Sequence, residues 1–319
     1  MPSSHRSRAW AGGAANHVSP LRQDATDAQA QGSRAARGAH NLLLRVISAA
    51  VLVPVALGAA YVGGVWFLLL CGLAAGGILW EWTRLVTGRS EPRLLAAGAA
   101  ALLAAVVLLG IDASAAAAFA AIATGAALAG LLALRGPLAQ GAATGMLWAA
   151  GGVAYAGVGL LAPALLRRDP GLGLTAFLFL AAIVWMTDIF AYATGRLIGG
   201  PLLWPRVSPN KTWAGALGGV AGGVAGGTLV AYASGCCNLT VLGVIAVVLS
   251  ASSQAGDLLE SAVKRRFGAK DASHLIPGHG GLMDRLDGFL VAGLAALVIG
   301  VVHGGTDAPA RGLLAWCAR

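Results

Sequence analysis

Charge is what this sequence has least of. Lys, Arg, Asp and Glu together make up 11% of its 319 residues, where a soluble domain carries about a quarter. A chain of that length could bury a large core, but it could not clothe a water-facing surface with so few charges. Cysteine is scarce too. Cys71 lies inside an apolar run, Cys236 and Cys237 are adjacent, and Cys317 is near the end; this spacing matches neither a zinc site nor a disulfide framework. Also missing are a GxxxxGK[ST] phosphate loop, a strand to present a dinucleotide fingerprint, and a convincing internal repeat.

The net charge of +9 does not mark a nucleic-acid binder. Six of the 22 Lys and Arg residues lie at or before Arg45, and most of the others sit between apolar segments. There is no interleaving of basic and aromatic side chains and no zinc-finger spacing, so no nucleic acid is expected as a partner.

Apolar residues dominate instead, at 57%. Nine apolar stretches fall near the length that crosses the hydrocarbon as a helix, about 17–25 residues. Their approximate limits are 43–61, 64–82, 94–111, 115–134, 143–165, 172–193, 213–233, 239–258 and 288–304. The expected fold is an all-α polytopic integral membrane protein of about nine transmembrane helices.

Residues 1–42 form a polar, basic leader without an apolar period, for which disorder is the expectation. The membrane domain is expected over 43–304, with a short tail over 305–319. Placing the amino terminus in the cytoplasm puts twelve Lys and Arg residues, from Arg84 to Arg285, in inner loops. Four are left outside: Arg167, Arg168, Arg311 and Arg319. That is the bias cytoplasmic loops show, and it points to a multi-pass protein of the cell inner (plasma) membrane. Arg167 and Arg168 run against it and are read as headgroup anchors at a span end. The 47 glycines, notably Gly215, Gly219, Gly222, Gly223, Gly226 and Gly227, suit close helix packing in lipid better than a phosphate loop.

Chemistry must then come from charges at span ends. Asp257, Glu260, Ser261 and Lys264 recur at offsets of three, four and seven, so a helix leaving the eighth span places them on one face. A carboxylate at that depth is costly unless paired or bound to a cation, which makes Asp257 a functional candidate. The competing reading is an Asp257/Lys264 or Glu260/Lys264 network that only closes the helix end. Downstream, Pro277-Gly278-His279-Gly280-Gly281 forms a turn whose exposed amides can wrap phosphate oxygens. Asp284 and Asp287 follow, with Arg285 between them, and hard carboxylate oxygens near such a turn suit Mg²⁺. Simple helix capping is the alternative for these two acids. His274 and His279 lack the partners a zinc site needs.

Two further polar islands share the cytoplasmic side. Asp188, Tyr192 and Gly195 lie on one face at the end of the sixth span. Ser208-Pro209-Asn210-Lys211-Thr212-Trp213 has the form of a helix start, with Ser208 as cap and Pro209 in the first turn. Lys211 beside a helix amino terminus would favour an anion there.

Taken together and in order, these segments resemble the phosphatidate cytidylyltransferase (CDP-diglyceride synthase) family, over about residues 43–304. Its signature S-x-x-K-R, K-D, H-G-G-x-x-D-R-x-D is present as Ser261, Lys264 and Arg265; Lys270 and Asp271; and His279, Gly280, Gly281, Asp284, Arg285 and Asp287. The upstream DxxAYxxGR, SPxKT and GDLxES segments carry Asp188, Tyr192 and Gly195; Ser208, Pro209, Lys211 and Thr212; and Gly256, Asp257, Glu260 and Ser261.

The resemblance implies transfer of the cytidylyl group of CTP to phosphatidate in the bilayer, giving CDP-diacylglycerol and pyrophosphate at a cytoplasmic site. It implies Mg²⁺ held by Asp257 and Asp284, a monovalent cation such as K⁺, and a homodimer. Catalytic roles would fall to Asp188, Lys211, Asp257, Lys264, Arg265, Asp284, Arg285 and Asp287. Substrate contacts would fall to Tyr192, Ser208, Thr212, Glu260, Ser261, His279, Gly280 and Gly281. The competing expectations are a CTP-dependent transferase or kinase acting on another membrane lipid, and an ion-coupled transporter, which would place charges near the midplane in both halves.

Overall fold

The computed structural model describes residues 47–48, 50–135, 142–273, 275–276 and 280–317. The leader 1–42, the start of the first expected span, and His274, Pro277, Gly278 and His279 lie outside them. The described chain is helical apart from one small hairpin. Eight helices are long and apolar enough to cross a bilayer: α2 (Gly64–Thr87), α3 (Pro92–Gly110), α4 (Ala115–Ala133), α5 (Ala142–Arg167), α6 (Gly173–Leu197), α7 (Trp213–Ala233), α8 (Leu239–Arg266) and α9 (Met283–Gly304). Ahead of them α1 is described over Ala50–Val62, shorter than the others. A short α10 (Pro309–Leu313) and a 3₁₀ turn (Ala315–Cys317) are the last described elements.

Helix ends follow local chemistry. Pro92 opens α3 at a position where its missing N–H is harmless. Ser114 caps α4, accepting from Ala117 N at 3.3 Å, and Asn238 caps α8, accepting from Val241 N at 3.3 Å. Between α1 and α2 the chain reverses through Gly63 and Gly64, both in the left-handed region (φ 69° and 55°). Those positive φ values favour glycine, and Arg167 lies close by, its guanidinium 2.7 Å from where a Cβ on Gly63 would stand.

Two cores result. Helices α2–α5 pack around Phe67, Ile78, Trp82, Ala105 and Leu160, and α6–α9 with α10 pack around Phe179, Leu180, Leu242, Leu249 and Leu313. Phe289 of α9 borders both. Six of the seven glycines of α7, all but Gly218, are buried against α6 and α8, as expected. A Cβ at Gly215, Gly219 or Gly226 would meet the backbone carbonyl of Ala191, Thr187 or Ala182 at 2.9, 3.0 and 3.1 Å. Backbone against backbone is how helices associate where lipid supplies no hydrophobic drive.

The segment at Ser208 departs from expectation. It forms strand β2 (Ser208–Thr212), antiparallel to β1 (Leu202–Trp204), with an irregular register between Leu202↔Thr212 and Trp204↔Ser208. Pro209 is tolerated because it sits in that irregular edge, where its missing donor breaks no ladder. The helix starts later, and its cap is Thr212, whose Oγ1 accepts from Gly215 N at 3.0 Å.

The cysteines also differ from expectation. Cys236, in the α7–α8 turn, is disulfide-bonded to Cys317 across a separation of 81 residues. Spacing arguments could not see it, because the partners meet only after α8 and α9 have crossed the bilayer twice. Arg167 and Arg168, at the same end of the bundle, are tied locally. Arg167 donates to the carbonyls of Ala60 (2.5 Å) and Tyr61 (3.1 Å), and Arg168 donates to Ala113 O (3.2 Å) and pairs with Asp112 (2.9 Å).

Candidate active site

Helices α8 and α9 outrun their apolar stretches at one end of the bundle. Helix α8 continues to Arg266 and α9 begins at Met283, so Asp257, Glu260, Ser261, Lys264, Asp284 and Asp287 all stand on helix. Close crossing of the two helices sets their spacing. A Cβ at Gly256 would meet Asp287 O at 2.5 Å, and one at Gly288 would meet Ser253 Oγ at 2.5 Å. Gly256 therefore serves backbone approach.

Two ion-paired groups lie along α8. Lys264, with its side chain 12% exposed, reaches Glu260 Oε2 and Asp284 Oδ1, each at 2.6 Å. Glu260 is buried and Asp284 nearly so, so Lys264 bridges two carboxylates in a poorly solvated pocket. Charges so poorly solvated need partners this close. The second group joins Lys211 of β2 to Asp257 of α8. The hairpin thus brings Lys211 across to α8, which a helix starting at Ser208 would not have done. Ser261 Oγ donates to Asp257 Oδ1 at 3.4 Å. The Glu260/Lys264 pair expected at the helix end is present, while Asp257 takes Lys211 as its partner.

Asp188 of α6 and Asp287 of α9 complete the group. Asp188 interacts electrostatically with Asp257, Lys211 and Arg285; Asp287 interacts with Asp257, Asp188 and Lys264. Three carboxylates from three helices therefore lie within electrostatic reach of one another, with lysines and an arginine around them. Like charges so placed repel, and a bound cation or incoming protons relieve that repulsion.

Other expected residues fall at the rim or serve the scaffold. Tyr192 is exposed and accepts from Arg196 Nη1 at 2.9 Å. Arg265 is exposed and donates to Ala269 O at 3.3 Å. Ser208 lies in the hairpin and Thr212 is a helix cap. Gly280 has φ 88° and pairs with Ile276 across a one-bridge turn. Gly281 is wedged: a Cβ there would meet Asp284 Oδ2 at 2.9 Å and Glu81 Oε1 at 3.0 Å.

Asp284 has further partners. Beyond Lys264, its carboxylate accepts from Gly281 N at 2.9 Å and Ala272 N at 3.1 Å. It stitches the loop after α8 onto the first turn of α9. Among the described residues no group of three or more His, Cys, Asp or Glu is gathered tightly enough to enclose a metal ion. Mg²⁺ shared with phosphates needs only one or two carboxylates plus waters. Asp257, partly exposed and facing Asp188 and Asp287, has the chemistry for that.

Glu81 of α2 was not anticipated. It is fully buried, yet it accepts hydrogen bonds from Ser273 Oγ, Leu282 N and Met283 N. The signal was an acid inside an apolar run, the same one that marked Asp257.

Comparison with known proteins decides the family. The pattern of the Cytidylyltransferase family matches residues 43–302. The chain belongs to this family. It is 42% identical over 269 residues to phosphatidate cytidylyltransferases of Brucella suis and Brucella melitensis, covering 84% of this chain and 97% of each relative. A protein of the same name from Staphylococcus haemolyticus is 40% identical over 139 residues, 43% of this chain and 52% of its own. In this cytidylyltransferase, every described residue of the motifs from Asp188 to Asp287 lies at the same end of the bundle.

Proposed function

We propose that this protein transfers the cytidylyl group of CTP to phosphatidate, forming CDP-diacylglycerol and pyrophosphate. The observation that carries the reading is the acid and lysine cluster at the ends of α6, α8 and α9, in a chain that matches relatives of that name over 97% of their length. A phosphate oxygen of phosphatidate attacks the α-phosphorus of CTP. The new P–O–P bond forms as the α–β anhydride breaks, and pyrophosphate leaves with the electron pair.

The nucleophile is already an anion, so the site needs no strong base; it must bring two polyanions together in line. Lys211 and Lys264, now paired with Asp257 and with Glu260 and Asp284, are placed to exchange those carboxylates for phosphate oxygens. Arg265 and Arg285 extend the positive surface at the exposed mouth. Asp257, beside Asp188 and Asp287, would hold Mg²⁺, which supplies charge neutralisation at the α-phosphoryl group and the leaving pyrophosphate.

CTP is water-soluble and phosphatidate is confined to the leaflet, so the reaction belongs at the cytoplasmic interface of the inner membrane. Two observations support that orientation: the twelve-to-four distribution of basic residues, and the disulfide at the opposite end, since disulfides persist in oxidising compartments. An ion-coupled transporter would hold its charges near the midplane, whereas these lie at one end. A homodimer is carried forward as part of this proposal, to be read from the mass of the detergent-solubilised particle.

The test is pyrophosphate release by purified full-length protein, with phosphatidate, CTP, Mg²⁺ and K⁺ each omitted in turn. Release that requires both CTP and phosphatidate is expected. Release with another lipid acceptor in place of phosphatidate would overturn the substrate assignment, and no release from folded protein would overturn the activity.

A further inference from the structure

A buried carboxylate in the last two turns of an apolar helix needs an explanation. Glu81 is 0% exposed, and in a low-dielectric interior an acid persists only where strong donors meet it. It has three. Oε1 accepts from Ser273 Oγ at 2.5 Å and from Leu282 N at 2.8 Å, and Oε2 accepts from Met283 N at 2.6 Å. Leu282 and Met283 form the start of α9, whose first amides have no acceptor within the helix. A carboxylate there satisfies them and complements the helix dipole. Unusually, this cap comes from another helix, 201 and 202 residues away in sequence.

Asp284 grips the same segment from the other side, through Gly281 N and Ala272 N, while pairing with Lys264. Residues 272–273 and 281–283 are therefore held between two carboxylates, one from α2 and one from α9. Gly281 lies where the two come closest.

We infer that Glu81 is a positioning residue: by fixing the entry of α9 and the loop before it, it sets where Asp284 and Lys264 stand relative to Asp257. Its hydrogen bonds go to Ser273, Leu282 and Met283, not to Asp257. Its effect on turnover rests on the cytidylyl-transfer reading, whereas its effect on loop order does not. Loss of its charge-assisted hydrogen bonds would leave α2 packed through Trp82, whose Nε1 donates to Trp148 O at 2.9 Å, but would free the loop.

The experiment compares wild type, Glu81→Gln, Glu81→Ala and Ser273→Ala as full-length protein in detergent. Hydrogen exchange is followed over 270–286 and over the α3–α4 and α6–α7 regions, together with thermal stability and the steady-state constants for CTP. Exchange is expected to accelerate in 270–286 alone, most in Glu81→Ala and least in Ser273→Ala. In Glu81→Gln, kcat should fall about tenfold to a hundredfold while KM for CTP changes far less. Unchanged exchange over 270–286 in Glu81→Gln overturns the inference. So does wild-type kcat with a loosened loop, or acceleration spread over every helix, which would mark a merely structural role. If Glu81→Ala does not fold, Glu81→Gln and Ser273→Ala decide. An inactive wild type would count against the proposed function, and the exchange data would still judge the positioning of the loop.

Discussion

The two ends of the bundle use the same residue types to opposite effect. At the end carrying the disulfide, three arginines each finish on a fixed partner. Arg167 donates to carbonyls of the α1–α2 turn, Arg168 pairs with Asp112, and Arg311 pairs with Asp169 at 2.6 Å. No carboxylate there is described facing another. At the opposite end Asp188, Asp257 and Asp287 act electrostatically on one another from three helices, and Lys264 is shared by two acids. A charged helix end is therefore not itself a sign of function. What marks a site is electrostatic conflict left standing within the fold, because a ligand can resolve it.

The most direct way to break this comparison is to neutralise one charge at each end. Asp257→Asn keeps size and insertion but removes the central carboxylate, and turnover should fall about a thousandfold. Lys211→Met, losing the hairpin's cation, should fall less, because Lys264 and the arginines remain. Arg168→Ala, at the far end, should stay within about twofold of wild type, as exposed pairs contribute little. Pyrophosphate release by the three variants, with thermal stability as the control for folding, gives the ranking. Equal losses in Asp257→Asn and Arg168→Ala would erase the distinction between the ends.

Much of this was legible in the sequence. The spans expected over 115–134 and 213–233 are found as Ala115–Ala133 and Trp213–Ala233, because hydropathy and helix end together where a turn follows the hydrocarbon at once. They part company at α8 and α9. There backbone hydrogen bonding carries each helix into polar sequence, and hydropathy marks the membrane instead of the helix end. The hairpin was hidden because Ser-Pro before a Lys-Thr pair is compatible with both a strand and a helix start. Only the pairing of Leu202 with Thr212 separates them. Glu81 escaped because its flanking tryptophans read as span, and its partners lie about two hundred residues downstream. Helix periodicity does place Asp257, Glu260, Ser261 and Lys264 on one face, yet it could not say that Asp257 would choose Lys211.

A smaller effect sharpens the contrast from the closed end. Cys236→Ser removes the bridge that ties the tail after α9 to the α7–α8 turn. In soluble chains such a crosslink contributes about 2–4 kcal/mol, and less is expected here because insertion already restricts the unfolded chain. Thermal stability should drop while pyrophosphate release per folded molecule holds. The exposed free thiol of Cys237 reports the side directly. A membrane-impermeant maleimide added to intact cells should label it, and protection from that reagent with labelling only after lysis would reverse the orientation.

The smallest effect belongs to Asp169, in the turn between α5 and α6. Burial alone would raise its carboxyl, but amide donation from Leu172, the Arg311 side chain and amide donation from Gly171 more than offset it, and it is held below the ordinary carboxylate value. A depressed folded-state value means that the ionised form is favoured by folding. Its stabilisation is therefore full above the unfolded carboxylate range, near pH 4, and is lost as pH falls through the lower folded value. Asp169→Asn should be slightly less stable than wild type at neutral pH, and the gap should close on acidification below about pH 4. Measuring both proteins across the same pH series cancels every other titrating group. A gap that stayed constant down to pH 3 would mean that Asp169 acts as a neutral hydrogen-bond acceptor, and that the closed end owes its stability to packing and the disulfide instead of to this pair.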